Sequence, residues 1–253
     1  MITFTQVTLS TIKINMKQIN LTTERLLKDA NIFVIDPSSE SYINSYPAFL
    51  EYFRKIGEIM SEEQLFISSH FIYGWMPTIL TLHTTIIDEE KGEINILNDV
   101  LRILDKARRE EETLNVIELN TLKRCINNSM VGVSKMLHFT NPNKYPIWDS
   151  KVFRYATKTG RVLLYVTEKA STYGIDNPEL YLQYMNRLKA ISTSGYNEIE
   201  SVFKDKIKDH KLSDKLNDLS PYRVMEMIMF ESVKKIESTR MDLPTQSYQM
   251  LSI

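Results

Sequence analysis

Apolar side chains recur every third or fourth residue along most of the chain, and this spacing is typical of amphipathic helices. In the segment from 48 to 59, for example, Phe49, Tyr52 and Ile56 fall on one stripe. Together with helix-start signals, the pattern predicts helices that open at Thr22, near Pro47 and at Pro178, and that cover 63–83, 88–112, 116–126 and 222–236. Loose alternation over 1–16, at Ile12, Ile14 and Met16, adds a short strand. The predicted fold class is therefore all-α.

The segment from 63 to 83 is apolar on every side, which predicts a central helix buried by its neighbours. Gly74 and Pro77 interrupt it, and a proline inside a helical pattern kinks or ends the helix. Tyr73 and Trp75 lie beside this break. Their rings are expected either to pack in the core or to form the wall of a pocket.

The charge balance limits the kinds of partner that the chain can attract. Its 253 residues include 31 basic and 32 acidic side chains, so there is no global positive field. A nucleic-acid partner would have to meet a local basic patch. The chain contains only 7 glycines and 8 prolines, and this low content argues against disorder and against a turn-rich all-β fold.

Cysteine and histidine are too sparse for the common metal and disulfide frameworks. Cys125 is the single cysteine, which excludes internal disulfides and a four-cysteine iron–sulfur cluster. The 4 histidines show no HExxH-type spacing, so neither a metal nor another cofactor is expected. The N-terminus lacks the basic start and apolar core of a signal peptide, and polar residues interrupt the longest apolar run, 65–80. We therefore expect a cytoplasmic protein without a membrane partner.

The stretch from 127 to 160 gathers three features that carry chemistry. A turn containing glycine is predicted over 131–134, and an apolar helix with Lys135 follows it. A loop with two prolines then delivers Asp149 to the start of another helix. An amine and a carboxylate thus lie close together in sequence, with further basic side chains around them at Lys151 and Arg154.

Two motifs in this stretch resemble those of the helix–hairpin–helix DNA glycosylases. The run VGVSK at 131–135 resembles the L-P-G-V-G-x-K hairpin of that superfamily, although the first proline and one glycine are missing. The run WDSKVFR at 148–154 resembles its V-D-x-x-V-x-R segment. Lys135 lies closer to Asp149 than is usual there. The resemblance covers 127–160 alone.

The resemblance implies an enzyme that breaks the bond between a base and its deoxyribose. Asp149 would stabilise the positive charge that develops on the sugar and activate a nucleophile. Lys135 would attack the sugar carbon and form a Schiff base, which adds lyase activity. Because a base inside a duplex is out of reach, the partner would be double-stranded DNA with a modified or damaged base flipped into a pocket.

The same resemblance implies where DNA and base would bind. Backbone N–H groups of the hairpin would hold a phosphate, and two side chains of the following helix would add charge contacts: Gly132, Val133, Ser134, Lys151 and Arg154. Tyr73, Trp75 and Trp148 are the candidate walls of the base pocket. The pocket would lie between two helical lobes of one monomeric unit, approximately 45–135 and 1–44 plus 136–253.

Each of these residues also has a purely structural alternative. Asp149 is a good helix cap without any catalytic role, Lys135 suits a solvated surface, and His138 is expected to be a satisfied core histidine. The leading hypothesis is a DNA glycosylase in base-excision repair or in defence against phage with modified DNA. The alternatives are a non-catalytic helix–hairpin–helix module that binds DNA and a helical protein-interaction domain. The excised base is not specified by the sequence.

Overall fold

The structure is a computed structural model that describes residues 18–56, 61–76, 78–90, 92–109, 112–158 and 174–241. Most of these residues are helical, in agreement with the predicted all-α class. The strand expected over 1–16 lies outside the described residues. The helices are α1 (Thr23–Asn31), α2 (Glu40–Lys55), α3 (Glu62–Trp75), α4 (Leu97–Arg108), α5 (Val116–Cys125), α6 (Met130–Thr140), α7 (Ser150–Thr157), α8 (Pro178–Ser194), α9 (Tyr196–Ile207), α10 (Ser213–Leu216) and α11 (Pro221–Met241).

Several predicted helix ends are confirmed. Thr22 caps α1, Asn177 caps α8, and Ser220 precedes α11, and each side-chain oxygen accepts a backbone N–H of the following turn. The central apolar helix, α3, ends at Trp75, where the sequence predicts a break. These local signals therefore mark where α1, α8 and α11 begin and where α3 ends.

The predicted start near Pro47 is wrong, because α2 begins at Glu40 and Pro47 lies inside it. A proline in a helix interior removes one backbone hydrogen bond. The helix persists because Ile43, Tyr46 and Phe53 on one face are buried in the core, and tertiary packing outweighs local preference.

The helix predicted from residue 88 is also wrong over its first part. Strands β1 (Thr85–Asp88) and β2 (Gly92–Asn95) form an antiparallel hairpin there, with Ile86 opposite Ile94. Successive β-branched residues at 85–87 favour extended backbone. Within the described residues this hairpin is the one sheet, and the helical part of the prediction is confined to α4.

The helices pack in two sets, one around α6 and one around α11. α6 packs against α2, α3, α4 and α5, whereas α11 packs against α1, α7, α8 and α9. The predicted lobe boundaries at 44/45 and 135/136 fall inside α2 and α6, so both helices run across them. No helix in the described ranges is long and apolar enough to cross a bilayer.

Candidate functional site

A cavity of about 600 Å³ lies where these two sets of helices face each other. Its walls come from α2, α3, the start of α6, the start of α7 and the first half of α11. Five of the predicted site residues line it, namely Tyr73, Trp75, Lys135, Asp149 and Lys151. The fold therefore brings the candidate amine, the candidate carboxylate and aromatic side chains to one cleft.

The turn between α5 and α6 lies earlier in the chain than the sequence predicts. Asn127 and Asn128 adopt left-handed backbone, with φ of 51° and 50°, and Ser129 caps α6. Asparagine tolerates this conformation better than most residues do. Residues 131–134 are consequently helical, so the expected phosphate-binding turn of Gly132, Val133 and Ser134 is wrong: all three are buried in α6.

Gly132 has a packing role instead. A side-chain carbon at this position would collide with the Tyr73 hydroxyl and lie 3.0 Å from Cγ2 of Ile126. The absence of a side chain therefore lets the Tyr73 ring lie directly against α6, on the wall of the cavity. Burial raises the pKa of the Tyr73 hydroxyl to about 12, so this group is neutral near pH 7.

Ser134 links the two segments that carry Lys135 and Asp149. Its Oγ accepts the Trp148 N–H at 3.0 Å and lies 3.1 Å from the Trp148 carbonyl oxygen. Because Ser134 precedes Lys135 and Trp148 precedes Asp149, these contacts fix the spacing of the amine and the carboxylate. Ser134 is thus a positioning residue, and its side chain is wholly buried.

Asp149 both caps α7 and lines the cavity. Its Oδ1 accepts the N–H groups of Lys151 and Val152, each at 2.9 Å. Among the described residues, Oδ2 has no hydrogen-bond partner. The structural and the chemical interpretations of Asp149 are therefore compatible, since the cap bonds orient one oxygen and leave the other for the cleft.

Lys135 projects from α6 into the cavity, and its amine has no hydrogen bond or ion pair with any described residue. Its Nζ lies 5.4 Å from the centre of the Trp75 ring. Burial lowers the pKa of Lys135, which the nearby charge of Asp149 partly opposes. A lysine with a lowered pKa supplies the neutral amine that nucleophilic attack requires.

Aromatic side chains form one wall of the cavity, but Trp148 is not among them. Trp75 Nε1–H donates to Ser45 Oγ at 3.0 Å, and its ring meets Phe139 edge to face. The placement of Trp148 in the base pocket is wrong: its ring is fully buried against Tyr184, and its Nε1–H donates to the Ile175 carbonyl. Trp148 anchors the segment before Asp149.

The predicted phosphate contacts Lys151 and Arg154 share one partner, Glu237 on α11. Lys151 Nζ lies 3.0 Å from Glu237 Oε2, and Arg154 Nη2 pairs with Glu237 Oε1. Arg154 is only 7% exposed, so its expected contact with DNA is wrong. Its amphipathic helix turns this arginine toward α11. Lys151 remains on the cavity wall.

His138 is a satisfied core histidine, as the sequence predicts. Its Nδ1–H donates to the Tyr145 carbonyl at 2.8 Å, which leaves Nε2 to accept the Tyr46 hydroxyl at 2.7 Å. Burial lowers the pKa of His138 to about 3, so the ring is neutral at pH 7. It takes no part in the cavity.

Two further charged residues on the cavity wall were not found from sequence. Arg223 and Glu226 lie one turn apart on α11, both more than nine-tenths buried, and Arg223 Nη1 donates to Glu226 Oε2. The available signal is a pair of charges three residues apart in the apolar run from 222 to 230. Buried charges of this kind are uncommon without a reason.

Comparison with known proteins assigns no family. No family model matches the chain, and neither the curated proteins nor the solved structures include a match. The described residues contain no group of three or more metal-binding side chains. The geometry of the cavity and the motif resemblance at 131–154 are thus the basis for a functional proposal.

Proposed function

We propose that this protein is a DNA glycosylase that excises a modified or damaged base and uses Lys135 as its nucleophile. One observation carries the proposal: the amine of Lys135, which no described residue hydrogen-bonds or pairs with, and the carboxylate of Asp149 line a single aromatic-walled cavity. A helical interaction domain has no need for an unpaired amine in a cleft, because burying such a group costs stability.

The proposed reaction begins with the neutral amine of Lys135. Its lone pair attacks C1′ of the flipped nucleotide while the bond from C1′ to the base breaks, and the electron pair leaves with the base. The carboxylate of Asp149 stabilises positive charge on the sugar and accepts the proton that the attacking amine loses. The proton on Asp149 then passes to the ring oxygen as its bond to C1′ breaks, which gives a protonated imine on Lys135. Loss of a C2′ proton to water expels the 3′ phosphate and cuts the strand, and hydrolysis of the imine frees Lys135.

The dimensions and the walls of the cavity suit a flipped base. A volume of about 600 Å³ falls within the usual range of small-molecule sites. Trp75 offers aromatic surface near Lys135, and Tyr73 lines the same cavity. Enzymes that flip bases hold the flipped base against such side chains. The location between two sets of packed helices is also what the glycosylase resemblance implies.

The test is a single-turnover excision assay on a panel of duplexes. The panel carries 8-oxoguanine, hypoxanthine, 3-methyladenine or 5-hydroxymethylcytosine, together with DNA from phages that contain glucosylated bases. Strand breaks are counted with and without alkali. Excision confined to phage bases would indicate defence, and excision of damaged bases would indicate repair.

Asp149→Asn is the informative variant, because asparagine caps helices as well as aspartate does. We expect the excision rate to fall by about 10²–10³-fold, as when an electrostatic stabiliser is removed, with the thermal unfolding midpoint unchanged. Equal rates for the variant and the wild type would disprove the role of Asp149. Salt-dependent DNA binding without excision of any base would favour the non-catalytic module instead.

A further inference from the structure

Burying the ion pair of Arg223 and Glu226 costs desolvation free energy, and the pair gives the core little stability in return. The two side chains are 6% and 3% exposed. The desolvation cost of a buried ion pair commonly cancels its attraction, so an apolar pair of similar size would serve the core equally well. The pair also lies on the wall of the cavity that holds Lys135. Its position on that wall is better explained by chemistry than by packing.

Aromatic rings hold the arginine in place. The guanidinium carbon of Arg223 lies 4.8 Å from the centre of the Tyr46 ring and 5.7 Å from that of Trp75. Its Nε is buried and has no hydrogen-bond partner within the described ranges. Glu226 is therefore the single carboxylate that Arg223 contacts among the described residues, and Trp75 connects this arginine to the amine of Lys135.

The two carboxyl oxygens of Glu226 differ in their hydrogen bonding. Oε2 accepts from Arg223, whereas Oε1 has no hydrogen-bond partner in the part of the chain that the structure describes. The side chain lines the same cavity as Lys135 and Asp149. A base bound against Trp75 would thus meet an amine, a carboxylate and a second carboxyl group within one cleft.

We propose that Glu226 is the proton donor to the departing base, an inference that rests on the proposed glycosylase function. As Lys135 attacks C1′ and the bond to the base breaks, the electron pair moves onto the base. Glu226 gives its proton to a basic atom of that base, which leaves neutral. The resulting carboxylate is stabilised by Arg223, and water reprotonates it after the base departs.

The surroundings of Glu226 allow this role near neutral pH. Burial raises its pKa to about 7, although Arg223 opposes the shift; Asp149 adds to it and Lys135 opposes it. The other titratable groups that face it are Tyr46 on α2 and Tyr184 on α8, whose own pKa values burial raises, so both stay neutral. The proton is therefore available below about pH 7 and is lost above it.

A preformed abasic site separates this role from that of Lys135. An abasic duplex has no base to protonate, yet its cleavage still needs the lysine. The substrate is whichever of the 8-oxoguanine, hypoxanthine and 3-methyladenine duplexes the wild type accepts. On that duplex we expect the excision rate of Glu226→Gln to be lower than that of the wild type by about 10²-fold or more. The same variant should cut the abasic duplex at the wild-type rate, which also shows that it is folded.

The pH profile supplies a second measurement. Excision by the wild type should fall as the pH rises through about 7, and this fall should be absent in Glu226→Gln. Glu118→Gln is the matched control, since Glu118 is a buried glutamate outside the cavity and accepts the Asn115 N–H at 2.9 Å. It should keep the wild-type rate and profile.

Three outcomes overturn the proposal in distinguishable ways. Unchanged excision by Glu226→Gln would show that Glu226 is not the donor, while the glycosylase proposal stands. Equal loss of excision and of abasic cleavage would show that Glu226 acts on Lys135 or on the fold. A wild-type protein that neither excises a base nor cuts the abasic duplex would refute the glycosylase function, and the role of Glu226 with it.

Discussion

Helix α6 carries two basic side chains one turn apart, and they occupy opposite kinds of environment. His138 faces the core, where the Tyr145 carbonyl and the Tyr46 hydroxyl satisfy both ring nitrogens. Lys135 faces the cavity, and no described residue satisfies its amine. Burial lowers the pKa of both groups, so each is driven toward its neutral form.

The difference between the two residues separates a structural role from a chemical one. A neutral imidazole with two partners contributes hydrogen bonds that the core would otherwise lack. An amine without a hydrogen-bond partner among the described residues contributes little to stability, and its lowered pKa favours the neutral form, whose lone pair can attack an electrophile. The same helix therefore stabilises the fold on one face and presents a nucleophile on the other.

The largest expected effect comes from removing the nucleophile. Lys135→Met keeps the apolar stem of the side chain and deletes the amine. We expect excision and abasic cleavage to fall on the order of 10³-fold or more, as when a covalent nucleophile is lost. The free energy of unfolding in urea should stay the same or rise, because a poorly solvated amine has been removed. A strongly destabilised variant would show that the Lys135 amine is structural.

His138→Leu should give the opposite pattern. We expect a loss of about 2–4 kcal/mol of stability, since the Tyr46 hydroxyl and the Tyr145 carbonyl lose their partner. Excision by the protein that remains folded should be close to the wild-type rate, measured at a temperature well below unfolding. A large loss of rate in the folded variant would contradict the division of α6 into two faces.

The pH dependence of stability tests the same residue independently. The unfolded ring binds a proton below about pH 6.5, whereas the folded ring resists protonation down to about pH 3. Stability of the wild type should therefore fall with decreasing pH across this window by up to ~1.4 kcal/mol per pH unit. His138→Leu lacks this contribution, so the gap between the two proteins should narrow from pH 6.5 to pH 4. A gap that stays constant would contradict the shifted pKa.

The smallest expected effect concerns the spacing of the two reactive groups. Ser134→Ala leaves the buried Trp148 N–H without its acceptor, which should cost about 1–3 kcal/mol of stability. We also expect a lower maximal excision rate with little change in DNA affinity, because Asp149 is held less firmly. Ser68→Ala is the matched control, since the Ser68 hydroxyl is buried and bonds to none of the residues that the structure describes. Equal behaviour of the two variants would show that the Ser134 link is unimportant.

Local sequence signals were sufficient to predict many of the helix ends and half of the predicted site residues, those that line the cavity. Asp149 was predictable as a helix cap because its own side chain makes the cap bonds. The break after α3 was predictable from Gly74 and Pro77. The hairpin at 85–95 was not, because its strands are short and lie directly before a helical pattern.

The remaining errors depend on contacts between distant parts of the chain. Arg154 has the sequence of an exposed basic residue, yet Glu237, 83 positions away, pairs with it. Trp148 was expected in the pocket because it adjoins Asp149, but the aromatic residues of α8 enclose it. Arg223 and Glu226 join the cavity because α11 packs against α7, whose start also lines it. Neither periodicity nor a motif shows such pairings.

The most direct measurement identifies the side chain that becomes attached to DNA. The wild-type protein is incubated with an abasic duplex and sodium borohydride, which reduces an imine to a stable bond. The trapped complex is then digested and its peptides are weighed by mass spectrometry. We predict that the adduct lies on Lys135 and that Lys135→Met yields no trapped complex. An adduct on another lysine, or no adduct at all with the wild type, would contradict Lys135 as the nucleophile.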